Sequence, residues 1–227
     1  MTKTRTKAII LFARDPVIGQ VKTRLQPLLD PESVLKLYTC FLNDSIEKIC
    51  KLESADRFIG VTPSDLSGFF SRLDNESALQ IFTQEGKDLG EKMSRAFKER
   101  FREGYEQVVI IGSDSPSLPV AYIEQALNSK KDLTIGPSTD GGYYLIGMSQ
   151  KPVNVFEGVA WGSDKVLAQT LERIKKNGSS LELLPPWYDV DRPEDLKFLE
   201  THLGLIEQSG PESTGATGNL LNELDLK

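Results

Sequence analysis

The sequence predicts an α/β fold built on one doubly wound, mostly parallel sheet. Over the first half of the chain, apolar strand-like stretches alternate with helical ones in the order β, α, β, α, β, which is typical of parallel crossover units. Four branched apolar residues at 108–111 run directly into a Gly-Ser-Asp turn, as expected for a strand that is buried on both faces. The 227 residues, 39% of them hydrophobic, suit one domain with a proper core.

Local signals place the individual elements. Asp30 and Pro31 open a helix, because Asp is a good N-cap and Pro suits the first helical position. Ser163 is a ready N-cap for a later helix. The predicted strands are 7–13, 57–62, 79–83, 108–111, 132–138 and 181–184, with a further β-like run at 139–147. The predicted helices are 31–52, 64–73, one that ends near 102, 120–128, 164–176 and one that starts at Pro193.

The composition argues against several classes of function. A net charge of −6, from 27 basic and 33 acidic residues, gives no global basic field for nucleic acid or an anionic membrane. No apolar run approaches the roughly 18 residues of a spanning helix, and no signal-peptide core is evident, so we expect a cytoplasmic protein. Cys40, Cys50 and the single histidine, His202, cannot form an ordinary zinc site.

Residues 1–207 are predicted to form the folded domain, and residues 208–227 a mobile or loosely docked tail. The stretch 208–219 is rich in Gly, Ser and Thr and has almost no apolar content, which favours mobility. Four leucines follow and leave open that the tail docks as one short helix; they are Leu220, Leu221, Leu224 and Leu226.

The loop after the first strand is a candidate anion site. Ligands of open α/β sheets bind beyond the carboxyl ends of the strands, and Gly19 permits close backbone approach there. Lys22 supplies a point charge, and Arg24 supplies a planar fork that suits phosphate oxygens. Solvated surface charge is the alternative. The loop is neither a Rossmann glycine fingerprint nor a Walker loop.

Two acidic stretches are also candidates. Asp114 follows the 108–111 strand, where it either binds a ligand or merely supports the turn. Asp189 and Asp191 precede Pro193, so an aspartate there is either a ligand or the N-cap of the last helix.

Two glycine-rich stretches carry the same ambiguity. Gly86, Gly90 and Asp88 suit a loop that lies along a base or ribose, and equally suit an ordinary strand-to-helix connection. Gly141 and Gly142, next to Asp140, indicate a bulge or the close approach of another group.

Six phrases carry a resemblance to a known family. They are FARDPVIGQVKTRL, QEGKDLGEKM, IGSDSPSLP, GPSTDGGYYLIGM, VAWGSDKVL and DVDRPEDL, in this order over residues 8–203. They resemble a family of candidate nucleotide-diphospho-sugar transferases, which is similar to phospholactate guanylyltransferases and molybdenum-cofactor nucleotidyltransferases. The resemblance implies a GT-A fold.

The resemblance also implies roles for individual residues. Nucleotide phosphates would contact Arg14, Gly19, Lys22 and Arg24, and the base would lie near Gly86, Asp88 and Gly90. The acceptor or sugar would lie near Asp140, Gly141, Gly142, Tyr143 and Trp161. Mg²⁺ or Mn²⁺ would be held by Asp114 and Asp191, with Asp189 as the reserve ligand, and catalysis would rest on Lys22, Arg24 and Asp114.

The activity that we favour is transfer of a nucleotidyl group from a nucleoside triphosphate to a phosphorylated small molecule, with release of pyrophosphate. The acids are split between Asp114 and Asp191, whereas metal-dependent glycosyltransferases usually carry an Asp-x-Asp pair, and residues 112–115 read GSDS. Glycosyl transfer from a nucleotide sugar is the first alternative. A non-catalytic nucleotide-binding protein is the second.

Overall fold

The computed structural model describes residues 5–73, 78–210 and 214–224. Within them the strands are β1 (Lys7–Arg14), β2 (Asp56–Thr62), β3 (Leu79–Thr83), β4 (Gln107–Gly112), β5 (Leu133–Pro137), β6 (Tyr143–Ser149) and β7 (Leu181–Leu183). The α-helices are α1 (Pro31–Cys50), α2 (Leu89–Arg102), α3 (Val120–Asn128), α4 (Val166–Asn177), α5 (Pro193–Ser209) and α6 (Gly215–Glu223). Short 3-10 helices cover Thr23–Leu25 and Phe70–Arg72.

The strands form one sheet in the order β3-β2-β1-β4-β6-β5-β7. Only β6 runs antiparallel to its two neighbours in this sheet, and the other pairings are parallel. The prediction of a single, mostly parallel sheet with β4 at its centre is therefore confirmed.

Both faces of the sheet are covered by helices, because side chains alternate along each buried strand. In β1, Ile9 and Leu11 belong to one core, while Ala8 and Ile10 belong to the other. The first core is closed by residues of α1, α3, α5 and α6, and the second by residues of α2 and α4. This doubly wound arrangement was also predicted.

The segment 64–73 differs from the predicted helix. Only Phe70–Arg72 is helical, as a single 3-10 turn. Two carboxylates accept hydrogen bonds from backbone amides that would otherwise bond within a helix. Asp15 accepts from Leu66 N and Ser67 N at 2.9 Å, and Asp65 accepts from Phe70 N at 3.1 Å. Side-chain acceptors of this kind compete with helical hydrogen bonds, and periodicity does not reveal them.

The helix starts were predicted with mixed success. Asp30 caps α1 as predicted, since it accepts from the amides of Glu32 and Ser33 at 3.0 Å. Ser163 is not the N-cap of α4, because that helix begins two residues later, after Lys165. Asp191 is not the N-cap of α5 either; that position is held by Arg192.

The C-terminal segment departs from a mobile tail. The last helix of the predicted domain, α5, continues through Ser209, and α6 follows with Leu220 and Leu221 buried. Asp44 of α1 accepts hydrogen bonds from Ala216 N at 2.7 Å and Thr217 N at 2.9 Å. The carboxylate of one helix thus caps the first turn of another. Residues 211–213 and 225–227 lie outside the described part of the chain.

The remaining composition-based predictions concern cysteines and membranes. Cys40 and Cys50 are free thiols, as expected. His202 packs into an aromatic cluster and shares a 2.7 Å hydrogen bond with the Tyr188 hydroxyl. Within the described ranges, no helix has the length and apolar character needed to cross a membrane. A cytoplasmic location stays a prediction.

Candidate functional site

The candidate site lies at the carboxyl ends of β1, β2 and β4. These strands are parallel, so the loops that follow them meet at one edge of the sheet, where α/β proteins bind ligands. The segment before α5 is tied to the same edge, because Val190 N donates to the carbonyl of Asp114 at 2.8 Å. This backbone bond helps to hold the 187–191 stretch at the end of the central strand.

Lys22, Asp114 and Asp191 form the centre of the site. Lys22 Nζ lies 2.7 Å from Asp114 Oδ1 and 2.7 Å from Asp191 Oδ1. The two carboxylate oxygens are therefore no more than twice that distance apart. The predicted convergence of Asp114 and Asp191 is present in the structure, but the group between them is the ammonium of Lys22.

Burial and charge set the electrostatics of this cluster. The lysine side chain is only 6% exposed, whereas those of Asp114 and Asp191 are 42% and 38% exposed. Burial lowers the pKa of Lys22, but the nearby charges of Asp114 and Asp191 outweigh it and hold that pKa above its usual range. Burial raises the pKa of Asp191, but the charge of Lys22 reverses the effect and the net shift is downward. The shifts of Lys22 and Asp191 thus both favour the charged forms of this pair.

The local backbone explains how Lys22 reaches the carboxylates. Lys22 has a left-handed conformation, with φ of 46°, which is uncommon for a residue with a side chain. Gly19, also left-handed with φ of 74°, shapes the same loop. Val21 and Leu25 on either side are buried in the first core. These apolar anchors hold the loop so that the lysine stem runs inward.

Asp189 is a second buried acid at this edge. It accepts hydrogen bonds from the hydroxyls of Ser115, at 2.5 Å, and Ser138, at 2.8 Å. Burial, followed by the charge of Asp114, raises the pKa of Asp189 to about 6, although the two hydroxyls act in the opposite sense. Asp189 thus joins the loop after β4 to the end of β5 and supports the strand-end loops from inside.

Two further predicted phosphate contacts are exposed arginines. Arg14 ends β1 with its side chain exposed. Arg24 is exposed as well, and its charge helps to lower the pKa of Asp191. Neither guanidinium has an ion pair among the salt bridges of the described residues. Both are thus available to an anion at the open side of the site.

The predicted base-binding loop has structural roles in the part of the chain described. Asp88 is the N-cap of α2 and accepts from Glu91 N at 2.8 Å. Gly90 lies beneath the indole of Trp161, since a Cβ at this position would come within 2.4 Å of Nε1. Gly86 has φ of 148°, and a Cβ there would meet Lys92 N at 2.7 Å. The ordinary connection explains these residues, and contact with a base stays a prediction.

The predicted acceptor loop is also explained by turn formation and packing. Asp140 Oδ1 accepts from Gly142 N at 2.8 Å, and Gly141 has φ of 91° and lies against the carbonyl of Asp164. Tyr143 packs edge to face on Trp161, with ring centroids 6.4 Å apart. Burial raises the pKa of the Tyr143 hydroxyl. Acceptor contact therefore stays a prediction for this loop.

Sequence reasoning assigned α1 to packing alone and missed two of its polar residues. The Tyr38 hydroxyl accepts from Arg14 N at 2.9 Å and lies 3.2 Å from Ser113 Oγ. Lys48 donates to the carbonyl of Pro116, in the loop that carries Asp114. A tyrosine and a lysine on the apolar side of an amphipathic helix are the only signals that could have revealed them.

A third missed contact links α2 to the strand ends. Lys92 Nζ donates to Thr62 Oγ1 at 2.8 Å, at the carboxyl end of β2. Lys92 belongs to the QEGKDLGEKM phrase, so it is a further basic group that lies near this edge of the sheet.

One cleft of the structure is not lined by the charged cluster. It has a volume of about 360 Å³ and runs between α2 and residues 152–158, past Asp88 and Gly90. Lys22, Asp114 and Asp191 do not line it. The cluster is the candidate site because it lies at the carboxyl ends of the parallel strands, where α/β proteins bind ligands.

The fold and the strand-end acids define the class: nucleotide-diphospho-sugar transferase-like α/β proteins. The chain belongs to the DUF2064 family, described as an uncharacterized protein conserved in bacteria, whose family model matches residues 45–163. A candidate nucleotide-diphospho-sugar transferase from Desulfovibrio desulfuricans G20 is 33% identical, with a TM-score of 0.83, and the match covers 96% of this chain and 95% of that one. The resemblance stated from the motifs is therefore confirmed.

More distant structures share the fold. The inositol-1-phosphate CTP transferase from T. maritima is 16% identical, with a TM-score of 0.52 and coverage of 85% of this chain and 92% of that one. The 4-diphosphocytidyl-2C-methyl-D-erythritol synthase from Anaerococcus prevotii is 10% identical, with a TM-score of 0.56 and coverage of 88% and 96%. A search of curated proteins found no match.

Proposed function

We propose that this protein transfers a nucleotidyl group from a nucleoside triphosphate to a phosphorylated small molecule and releases pyrophosphate. One observation carries the proposal: Asp114 and Asp191, from two distant segments, converge with Lys22 at the carboxyl edge of the sheet. Asp114 is the only acid at 112–115, where no Asp-x-Asp pair occurs.

The two carboxylates fit a Mg²⁺ or Mn²⁺ ion that is shared with a triphosphate. Among the described residues, no cluster of three or more His, Cys, Asp or Glu side chains is arranged to hold a metal on its own. Mg²⁺ is commonly bound by one or two carboxylates plus substrate phosphates and water, and the half-exposed Asp114 and Asp191 match that pattern. Such an ion, when bound, neutralises charge on phosphate oxygens.

The basic residues of the chain would hold the triphosphate in line. Arg14 and Arg24 are exposed, and guanidinium forks suit bidentate phosphate contact. The acceptor's phosphate oxygen attacks the α-phosphorus, the bond from that phosphorus to the bridging oxygen breaks, and pyrophosphate leaves with the electron pair. Cationic side chains placed where negative charge develops lower the barrier of this step.

The names of the distant neighbours are consistent with this reaction. Two of them are named for CTP or diphosphocytidyl chemistry, and both share the fold of this chain. Fold alone does not fix activity, so the proposal rests on the charged cluster of this chain.

Glycosyl transfer remains a second candidate because of one comparison. The structure that is 33% identical is named as a candidate nucleotide-diphospho-sugar transferase. In that reaction the same cationic groups would face a departing nucleoside diphosphate. The identity of the released phosphate separates the two reactions.

A ligand panel followed by product analysis tests the proposal. Thermal shifts with each common triphosphate and nucleotide sugar, with and without Mg²⁺, identify the donor, since a ligand that binds the native state raises the melting temperature. Turnover with a panel of phosphorylated acceptors should then release pyrophosphate. Free nucleoside diphosphate from a nucleotide sugar, with no pyrophosphate from any triphosphate, would contradict nucleotidyl transfer.

A further inference from the structure

The ammonium of Lys22 lies where a cation shared by Asp114 and Asp191 would lie. We propose that in the free protein Lys22 holds this cation position itself, so that a divalent ion gains full access to the two carboxylates only after Lys22 has left them. The inference rests on the proposed function only in treating the two aspartates as ligands of a divalent cation.

Distances carry the first step. Lys22 Nζ is 2.7 Å from one oxygen of each carboxylate, so it is in direct contact with both. A divalent ion held by the same two oxygens would compete with the ammonium for this position. Two cations cannot share that space, because contact and like-charge repulsion both oppose it.

Burial shows that Lys22 is a built part of the site. Its side chain is 6% exposed and enters from inside the protein, with Nζ 6.0 Å from the ring centroid of Phe41. Asp114 and Asp191 are 42% and 38% exposed and thus open to solvent. Lysine fills the site from the interior, while ligands reach it from the open side.

A triphosphate can release the carboxylates. Its phosphate oxygens compete for the same ammonium, because charge-assisted hydrogen bonds from lysine to phosphate are as strong as those to carboxylate. Once Lys22 turns to the phosphates, Asp114 and Asp191 are left as two adjacent anions that need a cation. The divalent ion and the triphosphate should therefore bind together, and the ion alone should bind weakly.

Binding of Mn²⁺ alone, without nucleotide, tests the inference by paramagnetic titration or calorimetry. Lys22→Met keeps the length and apolar stem of the side chain and removes the ammonium. The matched control is Arg24→Met, which removes the same charge near Asp191 without vacating the position between the carboxylates. We expect Lys22→Met to bind one Mn²⁺ at least about tenfold more tightly than the wild type, and Arg24→Met to stay within about threefold of the wild type.

Two further variants keep the test decisive. If Lys22→Met does not fold, as judged by circular dichroism, Lys22→Gln replaces it, because its amide can still donate to one carboxylate. The double variant Lys22→Met, Asp114→Asn should lose the gain in affinity, since one ligand has lost its charge. Equal Mn²⁺ affinity in the wild type and both Lys22 variants would overturn the inference, and so would an equal gain in Arg24→Met or a gain that survives Asp114→Asn.

The outcome is separable from the proposed reaction. A gain in Mn²⁺ affinity in a protein that releases no pyrophosphate would keep the cation exchange and refute nucleotidyl transfer. Pyrophosphate release without any gain in Mn²⁺ affinity in the Lys22 variants would keep nucleotidyl transfer and refute the cation exchange.

Discussion

Replacement of Asp44 by alanine should loosen the C-terminal helix and lower the stability of the whole protein. Asp44 is 6% exposed, and it accepts two backbone hydrogen bonds from the first turn of α6, at 2.7 and 2.9 Å. The nearest glycine, Gly215, has φ of 70°, and a Cβ there would come within 2.4 Å of Asp44 Oδ1. The close approach of α6 to α1 thus depends on this carboxylate.

The magnitude follows from the contacts that are lost. Loss of an N-cap costs about 0.5 to 2 kcal/mol, and hydrogen bonds to a charged group contribute about 1.5 to 3 kcal/mol each. Part of this loss is recovered because the α6 amides can bind water, so we expect Asp44→Ala to cost about 2 kcal/mol. For a domain of this size, about 2 to 4 °C of melting temperature corresponds to each kcal/mol, which gives a decrease of about 4 to 8 °C.

Thermal and urea unfolding followed by circular dichroism, with native-state hydrogen exchange, would measure the effect. Asn43→Ala is the matched control, because Asn43 is the exposed neighbour on the same helix. We expect the amides of 216–221 to exchange faster in Asp44→Ala and to be unchanged in Asn43→Ala. Melting temperatures of the two variants within about 1 °C of each other would refute the claim that Asp44 holds α6, by the scale above.

Two other expectations concern pH and packing. Burial lowers the pKa of Lys48 to about 8, from 10.5. The unfolded state therefore holds more protons between pH 8 and 10.5, and the free energy of unfolding should rise with pH in that window by up to about 3 kcal/mol. Lys48→Met should lack this rise. Urea unfolding of both proteins at pH 7 and 9.5 measures it, and the same pH dependence in both proteins would contradict the reasoning. Gly90→Ala would place a Cβ within 2.4 Å of Trp161 and should destabilise the protein by about 1 to 3 kcal/mol. Gly204→Ala, where a Cβ meets nothing within 4 Å in α5, should instead stabilise by about 0.5 to 1 kcal/mol, and similar melting temperatures for both variants would contradict this.

The parts of the fold that follow local rules could be predicted from the sequence. The apolar run of β4 reveals a strand buried on both faces, and it alternates between the two cores through Val108 and Val109. Asp30 followed by Pro31 marks the start of α1. Such signals depend on neighbours in the chain, so no tertiary information is needed.

Contacts between distant segments could not be read in the same way. The docking of α6 depends on Asp44, which lies 172 residues before Ala216. The predicted helix at 64–73 does not form, because Asp15, about 50 residues earlier, accepts hydrogen bonds from the amides of Leu66 and Ser67. These acceptors act through space, and hydrophobic periodicity carries no trace of them.

The candidate site was predicted in part for the same reason. The motif resemblance predicted that Asp114 and Asp191 share one metal site. In the structure, both carboxylates lie within hydrogen-bond distance of one ammonium. Lys22 was predicted as a phosphate contact but not as the group between the two carboxylates, because its contact with Asp191 joins segments 169 residues apart. Its left-handed backbone, with φ of 46°, is a further feature that the sequence does not reveal.

The fate of the two ends of the triphosphate tests nucleotidyl transfer most directly. The measurement uses the donor found in the ligand panel, labelled with ³²P at the α position in one reaction and at the γ position in another, together with Mg²⁺ and the phosphorylated acceptor. Lys22→Ala serves as the variant that should lower turnover more than donor binding, because its contact strengthens as charge develops on the leaving oxygens. Nucleotidyl transfer predicts that the α label enters the acceptor product and the γ label appears in pyrophosphate. Release of the γ label as inorganic phosphate, or an acceptor product without the α label, would contradict it.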